Sequence, residues 1–241
     1  MKKILAFIIF LISVFACSSC RENPNPGENL ITLNSPLITI ESKSNDVKLA
    51  YNPADEKDVR TKLTSDNVRL DQTSPTYLFA EENGKQLAEV AKVYNNDIYG
   101  NYVIEKVHSY SFYLLNTNSN KQDSTAKLKL DIVKDENQSA AVRVMTYYEM
   151  GDTQYFKVYQ EVDTDSNGNP IDFKYAAYDM VEAKNALIKF PKDASTVFSN
   201  EEVVISGNYL KYTILFWLEG DDPDCNEAML SKRIKFKLTI E

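Results

Sequence analysis

The chain has 241 residues, of which 43% are hydrophobic and 11% aromatic, including 15 tyrosines, so it has apolar material for a packed core and is not composed like a disordered polypeptide. Its 27 basic against 35 acidic side chains give a formal net charge of −8, and without a cluster of Lys and Arg such a surface repels polyanions, which argues against nucleic acid as a partner. Three cysteines and one histidine exclude a disulfide framework and a structural zinc site, which commonly needs a full set of N or S ligands.

At the start of the chain, Lys2 and Lys3 precede an apolar run, Ile4 to Ala16, broken only by Ser13. A membrane-spanning helix needs about 20 apolar residues, whereas an export signal needs about 7–15 followed by small residues. The run fits the export signal. A cysteine after a small residue at the edge of such a run resembles the lipobox of bacterial lipoproteins, in which the thiol is acylated and becomes the first mature residue. Cys17 follows Ala16 and has Val14 three positions back, whereas Cys20 follows two serines and has Cys17 three back. Cys17 is therefore the expected acylation site and Cys20 the alternative; a cleaved secretory signal with incidental cysteines is the competing reading. The expected organisation is a signal peptide over 1–16, a lipid-attachment and spacer segment over 17–29, and one β domain over 30–241. The spacer is polar, with two prolines and a glycine. The protein is then expected in the cell envelope, exposed outside the cytoplasm, with the membrane as partner through its lipid.

From Ile31 onward the pattern has period two, as expected of strands with one buried face. Strands are predicted at Leu37–Ile40, Asp46–Tyr51, Asn67–Leu70 and Tyr102–Leu115. Ala126, Leu128, Leu130 and Ile132 alternate with Lys127, Lys129 and Asp131, which makes a half-buried strand. Further strands are predicted at Ala140–Tyr148, Tyr155–Val162, Ile171–Tyr178 and Glu202–Ser206. Tyr212–Leu218 is apolar or aromatic on both faces except Thr213, so it should be a central strand covered on each side. Ile234, Phe236, Leu238 and Ile240 form a last half-buried strand. Turn signals lie at Asn83-Gly84, Gly151-Asp152 and Asn167-Gly168. Lys85–Tyr94 fits a short helix and a returning strand equally. The expected fold class is all-β, a single β-sandwich.

Three places carry candidate chemistry. His108, the sole histidine, sits in a predicted strand and is expected to be a surface or interface residue rather than a catalytic base. Asp163, Asp165 and Asn167 present oxygen atoms at alternate positions before Gly168, as calcium loops do, yet Lys174 stands where an EF-hand places its bidentate Glu. A hairpin turn is the expectation and calcium in a β-hairpin the alternative; no other cofactor is expected. The most distinctive stretch is Trp217-Leu218-Glu219-Gly220-Asp221-Asp222-Pro223-Asp224-Cys225, which leaves the central strand through a glycine. Glu219, Asp221, Asp222 and Asp224 there either bind a cation or form a solvated acidic loop closing onto the last strand, and the solvated loop is the expectation.

That stretch resembles the camelysin and TasA-type group of exported β-sandwich proteins, through Tyr212, Ile214, Trp217 to Gly220, Asp222, Pro223 and Cys225. Tyr110 to Thr117 is similar to the group's aromatic strand ending in Asn-Thr, and Ala141-Val142-Arg143-Val144 to its Ala-x-Arg-Val strand. The likeness spans residues 105–240. It implies a jelly-roll-like sandwich and a role in surface fibres or biofilm matrix. The group commonly has a cleaved signal without a lipid cysteine, so Cys17 sets this chain apart and argues against free polymerisation. The chain has no motif onto which the metal ligands of a protease can be placed.

The expectation is a lipid-anchored cell-surface protein with a structural or adhesive role, not an enzyme, whose partners are extracellular protein or polysaccharide. The alternative is a surface lipoprotein that captures carbohydrate or peptide through Tyr-rich faces such as Tyr147-Tyr148 and Tyr155-Phe156.

Overall fold

The computed structural model describes residues 36–66, 70, 72–73, 92, 107–120, 122–134, 141–169, 187–220, 222, 224–225 and 233–241, all within one compact unit, Leu33–Glu241. The signal and spacer segments, Cys17, Cys20, Asp221, Asn83-Gly84, Ile171–Tyr178 and, apart from Lys92, Lys85–Tyr94 lie outside the described residues.

Strands dominate the described residues: β1 (Ile38–Ser42), β2 (Val47–Ala50), β3 (Lys62–Thr64), β4 (Gln72–Thr73), β5 (His108–Asn116), β6 (Ser124–Lys134), β7 (Val142–Met150), β8 (Thr153–Val162), β9 (Leu187–Pro191), β10 (Thr196–Ile205), β11 (Tyr209–Glu219) and β12 (Ile234–Ile240). They form two sheets. One has the order β10-β6-β12-β1-β3; the other has the order β2-β5-β11-β7-β8-β9, with β4 pairing the end of β11. The fold is an all-β sandwich.

Alternation explains the layering. Ala126, Leu128, Leu130 and Ile132 of β6 and Phe236, Leu238 and Ile240 of β12 join Ile214, Phe216 and Leu218 of β11 in one core, with the Phe216 and Phe236 rings 4.4 Å apart between centroids. The odd-numbered residues of β11, Thr213, Leu215, Trp217 and Glu219, are buried too. Side chains alternate along a strand, so these four lie on the face of the second sheet turned away from the first. β11 is thus covered on both faces, as its apolar run predicts. The β7–β8 hairpin turns at Gly151-Asp152, with Met150 opposite Thr153 and Gly151 at φ 57°, a conformation that suits glycine at the first position of a two-residue loop.

Some pairings have no local signature. β1 runs parallel to β12, β8 to β9, and β4 to the end of β11. β3 buries only Leu63, and β4 has two residues, so neither is long enough to show a period. β10 begins at Thr196, earlier than the predicted Glu202, because register shifts between Thr196, Phe198 and Glu201 interrupt its alternation.

Candidate functional site

β11 has β5 on one flank and β7 on the other, and polar groups gather on both. On the β7 flank, Trp217 stands opposite Arg143, and Arg143 stands opposite Gln160 of β8. All three side chains are buried. An arginine inside a sheet must find partners for its planar fork of donors. Nη2 of Arg143 donates to Asp222 Oδ2 at 2.6 Å; Nη1 donates to the carbonyls of Val142 and Glu161 at 3.1 and 3.3 Å. The indole Nε1 of Trp217 donates to Glu219 Oε2 at 3.1 Å.

The chain after β11 is shaped to deliver Asp222. The Asp222 amide donates to the Glu219 carbonyl at 3.1 Å and the Cys225 amide to the Asp222 carbonyl at 2.8 Å, two successive tight turns past Gly220. Asp222 Oδ1 accepts from the Asp224 amide at 3.0 Å, an aspartate turn that leaves Oδ2 for Arg143. Across the strand, the Glu219 amide donates to the Ala141 carbonyl at 2.9 Å. The Trp217–Cys225 stretch and the Ala141–Val144 stretch therefore form one unit. Glu219 and Asp222 are 0% and 4% exposed, which corrects the expectation of a solvated loop at these two positions: Asp222 is paired with Arg143 and Glu219 accepts from the Trp217 indole.

A second set of ionic contacts adjoins the first. Lys134, at the end of β6 in the first sheet, is in direct contact with Glu161 of β8 in the second. Its ammonium also donates to the Lys192 carbonyl at 2.5 Å, and Glu161 Oε2 accepts from the Val142 amide at 3.2 Å. Asp163 pairs with Lys192, and the Asp224 carboxyl is close enough to interact with it. Lys192 holds the Asp163 carboxyl below the usual aspartate range. Burial, then the charge of Asp163, pushes Asp224 above it. Two neighbouring carboxylates separate in this way because only one is readily charged. Burial raises the Cys225 thiol to about 11, helped by Asp222 and Glu219, so it is a protonated, unreactive thiol at neutral pH.

Two of the three residues of the alternative calcium reading, Asp163 and Asp165, are committed to different partners. Asp163 belongs to the Lys192 and Asp224 contact. Asp165 caps its own turn: Oδ1 accepts from the amides of Asn167 and Asn169 at 2.8 and 2.9 Å, and Oδ2 accepts from Asn169 Nδ2 at 3.1 Å. Gly168, at φ 81°, closes the turn. Among the described residues no group of three or more His, Cys, Asp or Glu is placed to hold a metal ion.

Of the Tyr-rich faces, Tyr147-Tyr148 is internal, whereas Tyr155 is exposed and Phe156 half-buried. Tyr147 is fully buried and donates to Glu149 Oε1 at 2.5 Å. Tyr148 stacks on Tyr155 at 4.8 Å and on Tyr212 at 5.7 Å between centroids, and Tyr212 meets Phe112 at 5.7 Å. The result is a cross-strand aromatic row over four strands. The Tyr159 hydroxyl donates to Glu201 of β10, another link between the sheets.

On the β5 flank Asp58 is buried, but the polar groups around His108 border an open cleft. His108 begins β5 opposite Phe216 and lines a cleft of about 320 Å³ whose walls include Tyr51, Asp66 and Tyr110. The Tyr51 hydroxyl donates to the Thr64 carbonyl at 3.1 Å and accepts from the Tyr110 hydroxyl at 3.2 Å. Asp58 Oδ2 accepts from the amides of Tyr51 and Asn52 at 2.8 Å each, and Asp58 pairs with Arg60. The guanidinium of Arg60 lies 5.2 Å from the centre of the Tyr51 ring. The Asn52 amide, then Arg60, keeps the Asp58 carboxyl below its usual range. Tyr51 is thereby fixed at its backbone, ring and hydroxyl.

Glu161, Lys134 and Lys192 are neighbours that sequence reasoning passed over, and Arg143 was noted only within the Ala-x-Arg-Val stretch. A charged residue within the apolar runs Val142–Tyr148 and Val158–Val162 was the available signal, since such a residue needs a partner. No family model, curated protein or solved structure matches the chain.

Proposed function

We propose that this is a lipid-anchored cell-surface protein with a structural or adhesive role and no catalysis. The observation that carries the reading is the fate of the most distinctive motif: Trp217, Glu219 and Asp222 are buried and partnered within the fold, so they hold strands together rather than present a ligand site. Lys2, Lys3, the Ile4–Ala16 run and Cys17 supply the address. The lipid tethers one end, and the domain meets extracellular protein or polysaccharide.

The sheet edges favour a fixed component over a fibre subunit. Among the described residues, edge strand β3 has three residues and β9 ends at Pro191. β10 is broken by register shifts, with Asn200 at φ 57°. Short strands, prolines and bulges blunt strand addition between subunits. Calcium in the Asp163–Asn167 turn is the weaker part of the proposal; a melting temperature unchanged by added calcium would remove it, because a ligand binding only the native state must stabilise it.

Metabolic labelling with a fatty acid tests the anchor. The expected result is label on the wild type and on Cys20→Ala, none on Cys17→Ala, and loss of surface attachment with the label. Labelling unaffected by either change contradicts the anchor.

A further inference from the structure

The cleft on the β5 flank is unused by the structural role and has the makings of a binding site. Its floor is apolar, from Leu37 and Phe216, both buried. Its walls are Tyr51 and Tyr110, and Ser109, His108 and Asp66 complete the lining. A volume of about 320 Å³ is at the lower end of small-molecule sites. The two phenols are held by their mutual hydrogen bond and by Thr64, so the rings need not be ordered by a ligand; such preorganisation lowers the cost of binding.

We propose that this cleft binds a neutral saccharide, with a sugar ring against the tyrosines and its hydroxyls meeting Asp66, Ser109 and His108. The chemistry of the lining selects the ligand class. Among the described residues no Lys or Arg lines the cleft and Asp66 is the one carboxylate, on a chain of net charge −8, so an anion is opposed. A cation is opposed as well, because Arg60 already lies over the Tyr51 ring. A neutral polyol satisfies both conditions: its C–H face suits an aromatic wall, and its hydroxyls can donate to a carboxylate and exchange hydrogen bonds with serine and imidazole. A bound peptide would instead add to a sheet edge, and the two edge strands that lead into the cleft are short, β3 with Lys62–Thr64 and β2 with Val47–Ala50. The inference gives the adhesive reading its ligand, and binding is read independently of acylation.

The single histidine makes the test site-specific. In the full chain, held in detergent micelles, the imidazole resonances of His108 are followed by NMR while maltose, cellobiose, lactose or chitobiose is added. The expected result is a saturable shift with at least one of them, with a Kd of about 1 mM as befits a shallow site. Tyr51→Ala and Asp66→Ala should each weaken it about tenfold or more, whereas Tyr155→Ala should leave it unchanged. No shift at about 50 mM of any of the four sugars, a shift with glucuronic acid or choline but with none of them, or a disaccharide shift that survives both cleft variants would overturn the proposal.

Discussion

The two flanks of β11 treat the same kinds of side chain in opposite ways. On the β7 flank Asp222 is buried against Arg143 and Glu219 against the Trp217 indole. On the β5 flank Asp66 is exposed and the tyrosine pair borders a cleft. A carboxylate is a structural element where a buried cation completes it, and a recognition element where solvent, or a ligand in its place, completes it. The acidic motif that stands out in the sequence falls on the sealed flank. The open flank is assembled from residues of which only His108 stands out on its own.

The comparison breaks most visibly at Arg143. Arg143→Met should cost about 3–5 kcal/mol, because it strands a buried carboxylate, and urea unfolding would show it as a lower midpoint. Adding Asp222→Leu should recover part of that loss but not all, since the carbonyls of Val142 and Glu161 still lose their donor. Trp217→Phe comes next: it removes an indole donor from Glu219 and should cost about 1–3 kcal/mol, measured in the same way.

Asp163 and Asp224 sharpen the comparison through pH. Asp163 is lowered in the fold, so its contribution is present above the unfolded value near 3.8 and is lost as pH falls through the folded value. Asp224 is raised, so what it contributes is complete below 3.8 and is lost as pH rises through its folded value. Both face Lys192, and Asp222 adds to the repulsion on Asp224. Asp163→Asn should therefore lower the melting temperature at pH 7 and leave it nearly unchanged at acid pH. Asp224→Asn should raise it at pH 7 and do little at acid pH. Each effect should be at most about 1 kcal/mol because both groups are near the surface. On the open flank, Tyr51→Ala should cost no more than about 1 kcal/mol in urea unfolding, while weakening the saccharide response of His108 about tenfold or more.

The sandwich was legible in the chain wherever alternation was long enough. β6 and β12 show it over whole strands, and β11 declares its double burial by a run, Tyr212–Leu218, that is apolar or aromatic on both faces except Thr213. The parallel pairing of β1 with β12 was not legible, because a register between the two ends of a domain leaves no local trace. The candidate site was half legible. Trp217, Glu219 and Asp222 were singled out, but their burial depends on Arg143, which is 79 residues from Asp222 along the chain. Asp163 was read with Asp165 because they are neighbours in sequence, whereas its contacts are Lys192 and Asp224. The cleft could not be read at all: Leu37, Tyr51, Asp66, His108 and Phe216 come from five separate segments.

The central claim is that the acidic exit of β11 is a structural rivet. A double-mutant cycle on Arg143→Met and Asp222→Leu, read as unfolding free energy in urea, tests it most directly. A coupling of about 2 kcal/mol or more between the two positions is the predicted result. A coupling below about 0.5 kcal/mol would contradict it, and would return these carboxylates to the surface as candidates for a ligand.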